Sequence, residues 1–284
     1  MASPYILTIS CPDRIGIVAT VSTFLAVQRC NILDSAQFGD RESKRFFLRI
    51  HFEMPADGPG RPELERLFAG VAATFDMEWQ LFDAGSTARI LVLVSRFGHC
   101  LNDIMFRCET GALNATIPAI VSNHHDFQRI AEMHDIPFHY LPISKENKAE
   151  QEECIAKIIE EQAIDLVVLA RYMQILSPEF CARFKGRVIN IHHSFLPSFK
   201  GASPYHQAFA RGVKLIGATA HYVTENLDEG PIIEQEVARV DHSHMPDDLV
   251  AVGRDVECLA LARAVRFHIE HRVLLNGSKT VVFR

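Results

Sequence analysis

Between residues 89 and 191 the chain carries short apolar runs at Arg89–Val94, Thr116–Ser122, Pro137–Tyr140, Asp165–Ala170 and Val188–Ile191, separated by stretches with helical spacing. A strand with one face in water alternates apolar and polar residues. A run that is apolar almost throughout fits a strand buried on both faces, and the helices in between supply the cover. The feature therefore predicts an α/β unit built on a doubly wound, mostly parallel sheet. Beyond residue 212 the rhythm changes: Lys214–Val223 and Ile232–Val240 read as a strand pair, followed by a long helix from about Asp247 to His271.

Ahead of this region the pattern differs. Tyr5–Ser10 reads as a strand, and Pro12-Asp13 opens a helix whose Ile15, Val18, Val21 and Leu25 recur at helical spacing. Asn31–Phe38 and Arg45–Phe52 are strands with Gly39-Asp40 at the turn, Arg61–Phe75 is a second amphipathic helix, and Met77–Phe82 a closing strand. The order βαββαβ predicts a small ferredoxin-like α+β sandwich. Asp83–Thr87 is a polar linker, so the expected domains are 1–84 and 88–284. Gly16 admits two readings, close approach of a ligand or backbone, or relief of packing.

Of the 284 residues, 48% are hydrophobic, enough for sizeable cores, and the net charge of −6 offers no footprint for nucleic acid. The apolar runs are too short to span a bilayer, and the polar Cys11-Pro12-Asp13-Arg14 ends the N-terminal apolar stretch too early for a signal peptide. The seven cysteines are odd in number and lack a CxxC pair, which predicts reduced thiols in a cytoplasmic protein. His124-His125, His242-x-His244 and His268-x-x-His271 have no acidic partner in a ligand pattern, so no metal is expected.

The chemistry concentrates in VINIHHSFLPSFKG, residues 188–201. Asn190 and His192 project from one face of a strand, about 6–7 Å apart. They lie at its carboxyl end, where open α/β sheets bind ligands. One reading is a strand exit marked by polar residues. The other is an amide and an imidazole set to polarise a carbonyl and stabilise an oxyanion. Asp228, in the polar turn NLDEGPII, is the candidate third group. His193 points to the opposite face, where packing and chemistry remain open alternatives, and Ser198 and Lys200 read as solvated loop residues.

NIHHSFLPSFKG, HYVTENLDEGPII and RYMQILS resemble the catalytic domain of folate-dependent formyltransferases. His193, where the purine-pathway transformylases carry proline, makes the resemblance specific to formyltetrahydrofolate deformylases. DRIGIVATVSTFLAVQRCNI resembles an ACT domain, a regulatory module. The resemblance implies hydrolysis of 10-formyltetrahydrofolate to tetrahydrofolate and formate, with water as acceptor and no metal or redox cofactor, in one-carbon and purine metabolism. It implies Asn190, His192 and Asp228 as the catalytic trio, His221 and His193 as supporting residues, and Met173, Gln174, Ile175 and Leu176 as the folate-holding loop. Transformylases commonly have arginine where Gln174 stands. They also have a glycine-rich turn where this chain has Ser95, Arg96, Phe97, Gly98 and His99. A homo-oligomer and a small amino-acid effector at the ACT-like domain are further expectations; no nucleic acid or membrane partner is expected. The alternatives are a transferase passing the formyl group to an amine such as glycinamide ribonucleotide, and a sensor with an inert folate-binding domain.

Overall fold

The computed structural model describes residues 3–194, 196 and 204–284; Pro197, Ser198, Lys200 and Gly201 lie outside the described residues. The chain divides into two units, Met1–Ser86 with Glu270–Arg284, and Thr87–Ile269.

The first unit runs β1 (Ser3–Pro12), α1 (Ile17–Val27), β2 (Asn31–Asp40), β3 (Arg45–Met54), α2 (Arg61–Thr74) and β4 (Glu78–Asp83). The strands form an antiparallel sheet in the order β2-β3-β1-β4. One face packs on the helices through Ile9, Val21, Leu25, Leu48, Phe52 and Phe68. The first helix begins later than its apolar spacing suggests, because β1 continues through Pro12. Gly16 then caps it at φ 96°, a left-handed conformation that favours glycine. A Cβ there would meet no atom of this chain within 4 Å, so the left-handed φ, and not packing within the chain, accounts for this glycine. Ile17, Val21 and Leu25 form the buried stripe, whereas Ile15 and Val18 are exposed.

The expected domain 88–284 ends early. Residues after Ile269 form a hairpin of β12 (Val273–Asn276) and β13 (Lys279–Val282), turning through Gly277 at φ 61°. Leu274, Val281 and Phe283 cluster with Phe47 of β3, which alternates with the helix-facing Leu48. The hairpin thus removes apolar surface on the other face of β3 from water, which is why the chain's end belongs to the first unit.

The second unit contains β5 (Ala88–Val94), α3 (His99–Glu109), β6 (Ala115–Ser122), α4 (Gln128–Met133), β7 (Phe138–Tyr140), α5 (Lys148–Glu161), β8 (Leu166–Leu169), α6 (Pro178–Arg183), β9 (Val188–His192), α7 (Pro204–Arg211), β10 (Leu215–Tyr222), β11 (Ile232–Arg239) and α8 (Pro246–Ile269). Its sheet order is β11-β10-β9-β8-β5-β6-β7. The five strands from β9 to β7 are parallel, and β10 and β11 are antiparallel additions. Ile90 to Val94 have no solvent exposure, the continuous burial expected of a covered parallel strand. The winding reverses between β5 and β8, opening a crevice at their carboxyl ends. Among the described residues, no helix is long and apolar enough to cross a membrane.

Candidate active site

β9 delivers Asn190 and His192 to one face of the sheet, as its alternation requires. The antiparallel register with β10 sets His221 directly opposite Asn190 and Thr219 opposite His192. Asn190 Nδ2 lies 3.3 Å from His221 Nε2, and His221 Nδ1 lies 2.9 Å from the Tyr222 carbonyl oxygen. That carbonyl only accepts, so Nδ1 carries a proton and Nε2 is turned toward the Asn190 side-chain amide.

Asp228 arrives from the loop joining β10 and β11. Its φ of 57° is unusual for a residue other than glycine, and aspartate is among the few that tolerate it. The loop closes because a Cβ on Gly230 would lie 1.7 Å from the Tyr222 carbonyl oxygen, so only glycine fits. The Tyr222 N–H also donates to the Pro231 carbonyl at 2.9 Å. This places Asp228 Oδ2 3.2 Å from His192 Nδ1, with Oδ1 3.7 Å from His221 Nε2.

Burial opposes the negative charge of Asp228, but hydrogen bonding and attraction from His192 and His221 prevail and hold its carboxyl well below the usual carboxylate range. Asp228 is therefore ionised at neutral pH and orients Nδ1–H of His192 toward itself. The other nitrogen, Nε2, lies 2.9 Å from Ser194 Oγ. A hydroxyl both donates and accepts, so His192 can gain or lose a proton at Nε2 and keep a partner. His193 is pushed down to about 4 by burial and by the nearby Arg171 charge, and stays neutral. Its ring is centred 5.2 Å from that of His192 and 6.3 Å from that of Tyr205.

One cavity of about 290 Å³ gathers the residues singled out in the sequence. Asn190, His192, His221, Asp228 and Met173 to Leu176 all line it, and so does His193, contrary to the opposite face expected of it, because β9 ends at His192 and its alternation no longer applies. Met173 and Ile175 are 54% and 58% exposed and offer an apolar surface to a flat ring system, while Leu176 anchors the loop in the core. The same wall includes Arg171 and Val223 to Leu227, to which the sequence reading assigned no role. An arginine at the carboxyl end of an apolar strand was the available signal for Arg171.

The turn after β5 is closed in several ways. The Ser95 N–H donates to the Arg171 carbonyl at 3.2 Å. Ser95 Oγ donates to Asn123 Oδ1 at 2.8 Å and accepts from the Met173 N–H at 2.9 Å. A Cβ on Gly98 would lie 2.2 Å from the Phe127 ring, so this glycine makes room for an aromatic side chain. Behind the turn, His99, Cys100 and Glu257 bring ligand-type atoms together, the only such group among the described residues. Glu257 already accepts from Tyr205 at 2.7 Å and meets His99 Nε2 at 2.8 Å, beside the Arg171 guanidinium. That cation would repel a metal, and the group is an ion-pair network.

The formyl transferase family pattern matches residues 88–265. A protein of Corynebacterium sp. (strain P-1) named formyltetrahydrofolate deformylase is 49% identical, over 99% of this chain and 98% of that one. The crystal structure of formyltetrahydrofolate deformylase from Burkholderia mallei has a TM-score of 0.95 and 52% identity, covering 99% of this chain and all of its own. Glycinamide ribonucleotide transformylase 1 from Symbiobacterium toebii is more distant, with a TM-score of 0.65 and 28% identity over 72% of this chain and 98% of its own.

Proposed function

The chain belongs to the formyltetrahydrofolate deformylase family, and from that premise we propose that it hydrolyses 10-formyltetrahydrofolate to tetrahydrofolate and formate through Asn190, His192 and Asp228. The observation that carries this reading is an ionised carboxylate 3.2 Å from an imidazole, with an amide on the same strand face, in one cavity at the carboxyl end of the sheet.

The folate ring system lies along Met173 to Leu176 with its formyl group toward β9. Asp228 orients a water molecule against the formyl carbon. As the water oxygen bonds to that carbon, the carbonyl electron pair moves onto oxygen, where N–H groups of Asn190 and His192 stabilise it. The Asp228–His192 pair takes the proton from the water and passes it to the folate N10. Collapse re-forms the C=O bond and breaks the C–N10 bond, so water and the formyl amide become formate, a proton and tetrahydrofolate. His221 acts as a support that holds the Asn190 amide in place. The scheme needs no metal or redox cofactor.

Water as the acceptor is supported by the turn after β5. An amine acceptor carrying a phosphate needs free backbone N–H groups at a helix N-terminus. Here Ser95 has its N–H engaged and Gly98 is packed against Phe127. Purified protein given 10-formyltetrahydrofolate alone should release stoichiometric formate; release that waits on glycinamide ribonucleotide would favour the transferase.

The first unit carries the proposed regulation. Its βαββαβ order supports an ACT-like module that takes a small amino-acid effector, and the exposed Ile32, Leu33 and Phe38 of edge strand β2 support pairing between copies. Described cysteines that are all free support a reducing, cytoplasmic setting.

A further inference from the structure

Arg171 follows β8 at the reversal point of the sheet, lines the same cavity as His192 and is held at φ 65°, outside the regions an arginine prefers. Its side chain is only 10% exposed. Nε and Nη1 are fully buried and have no hydrogen-bond acceptor among the described residues. A buried donor left without an acceptor is destabilising, and more so on a charged group.

The nearest carboxylate does not use them. Glu257, 1% exposed on α8, sits 3.5 Å from Arg171 Nε, an ion pair without a hydrogen bond. The oxygens of Glu257 are engaged elsewhere, by Tyr205 at 2.7 Å and by His99 at 2.8 Å. Even the packing serves this arrangement. Gly253 of α8 leaves room for the Tyr205 ring, which a Cβ would meet at 2.2 Å. Arg–carboxylate pairs frequently close bidentately. This one leaves the guanidinium beside the Phe97 ring, 5.6 Å from its centroid, with Nε and Nη1 unpaired.

We propose that Arg171, beside His193, forms a subsite for a small carboxylate, and that its ligand is the formate released in the reaction. This rests on the deformylase reading. Formate is born as an anion close to ionised Asp228, which repels it. The Arg171 guanidinium on the same cavity wall is the complementary charge, and a small shift of its side chain would turn the unpaired N–H groups to the carboxylate. Neutral His193 adds a polar edge without a competing charge.

The test follows initial rates of 10-formyltetrahydrofolate hydrolysis against added sodium formate, together with the line width of [13C]formate mixed with the protein. Wild type should be inhibited by formate and should broaden the [13C]formate signal. Arg171→Gln should raise the formate inhibition constant tenfold or more and abolish the broadening, with KM for the folate changed less than about threefold. Arg171→Lys, a point charge without the planar fork, should fall between the two and carries the comparison if thermal melting shows the Gln variant unfolded. A slower Arg171→Gln enzyme with an unchanged formate constant would mean a purely structural role and overturn the subsite, as would wild type that leaves the signal sharp. Absence of hydrolysis by wild type would sink the proposed function, while the line width still decides the subsite.

Discussion

The two sheets bury their strands by different means. In the first unit, β1 alternates buried and half-buried positions toward its end, because the helices cover one face of the sheet. In the second, β5 and β8 are buried along nearly their whole length. In an alternating strand an outward polar residue is ordinary. In a strand covered on both faces it needs a reason. Asn190 and His192 have such a reason, since they lie where β9 leaves the covered sheet and enters the cavity. Burial on both faces is what makes polar residues at a strand end informative.

The contrast breaks first at Asp228. Asp228→Asn keeps the shape of the loop but removes the charge that orients His192, so turnover should drop by about 10²-fold or more, with folate affinity nearly unchanged in an equilibrium binding assay. A variant within a few-fold of wild type would remove Asp228 from the mechanism.

Gly230→Ala tests the loop that carries Asp228 across to β9. The added carbon would collide with the Tyr222 carbonyl and force the backbone aside, at a cost of about 1–3 kcal/mol. Turnover should fall by roughly tenfold. Gly16→Ala in the first unit should lower the melting temperature and leave kcat near wild type. Equal effects of the two glycine changes on kcat would erase the division between a chemical and a supporting unit.

Deleting residues 273–284 sharpens the assignment of the hairpin. Phe47 loses the cover of Leu274, Val281 and Phe283, which predicts a melting temperature lower by several degrees. Folate KM should change less than about threefold. A catalytic fragment is better cut as 87–269 than as everything from residue 88 onward, and the solubility of the two fragments checks this.

The smallest effect concerns pH. The folded-state value for His193, about 4, lies below its ordinary 6.5, so between these values the unfolded chain binds more protons than the folded one. Stability contributed by neutral His193 is thus complete above about pH 6.5 and is lost as pH falls toward 4. His193→Asn should flatten denaturation midpoints across that window. Asp228 has the opposite requirement: it contributes while ionised, and that contribution disappears only below the usual carboxylate range.

Much of the architecture was legible because it is local. Burial on both faces shows as unbroken apolar runs, and the period of two along β9 shows that Asn190 and His192 share a face. The start of α1 is not legible, because Ile15 and Val18 imitate a buried helical stripe although the helix begins only after Gly16. The hairpin after α8 left a usable sign, Asn276-Gly277 between apolar residues, but nothing in those residues says which sheet they cover.

Residue types and their local spacing are properties of the chain, and they specified the parallel sheet, the strand-end pair and the polar turn holding Asp228. The folded molecule alone decided that His221 stands opposite Asn190 and that Gly230 brings Asp228 to His192. It also decided that Glu257, 86 positions beyond Arg171, holds that arginine while leaving its donors unused. Distances of this kind depend on strand register, loop closure and helix packing, which emerge only when distant segments exclude water together.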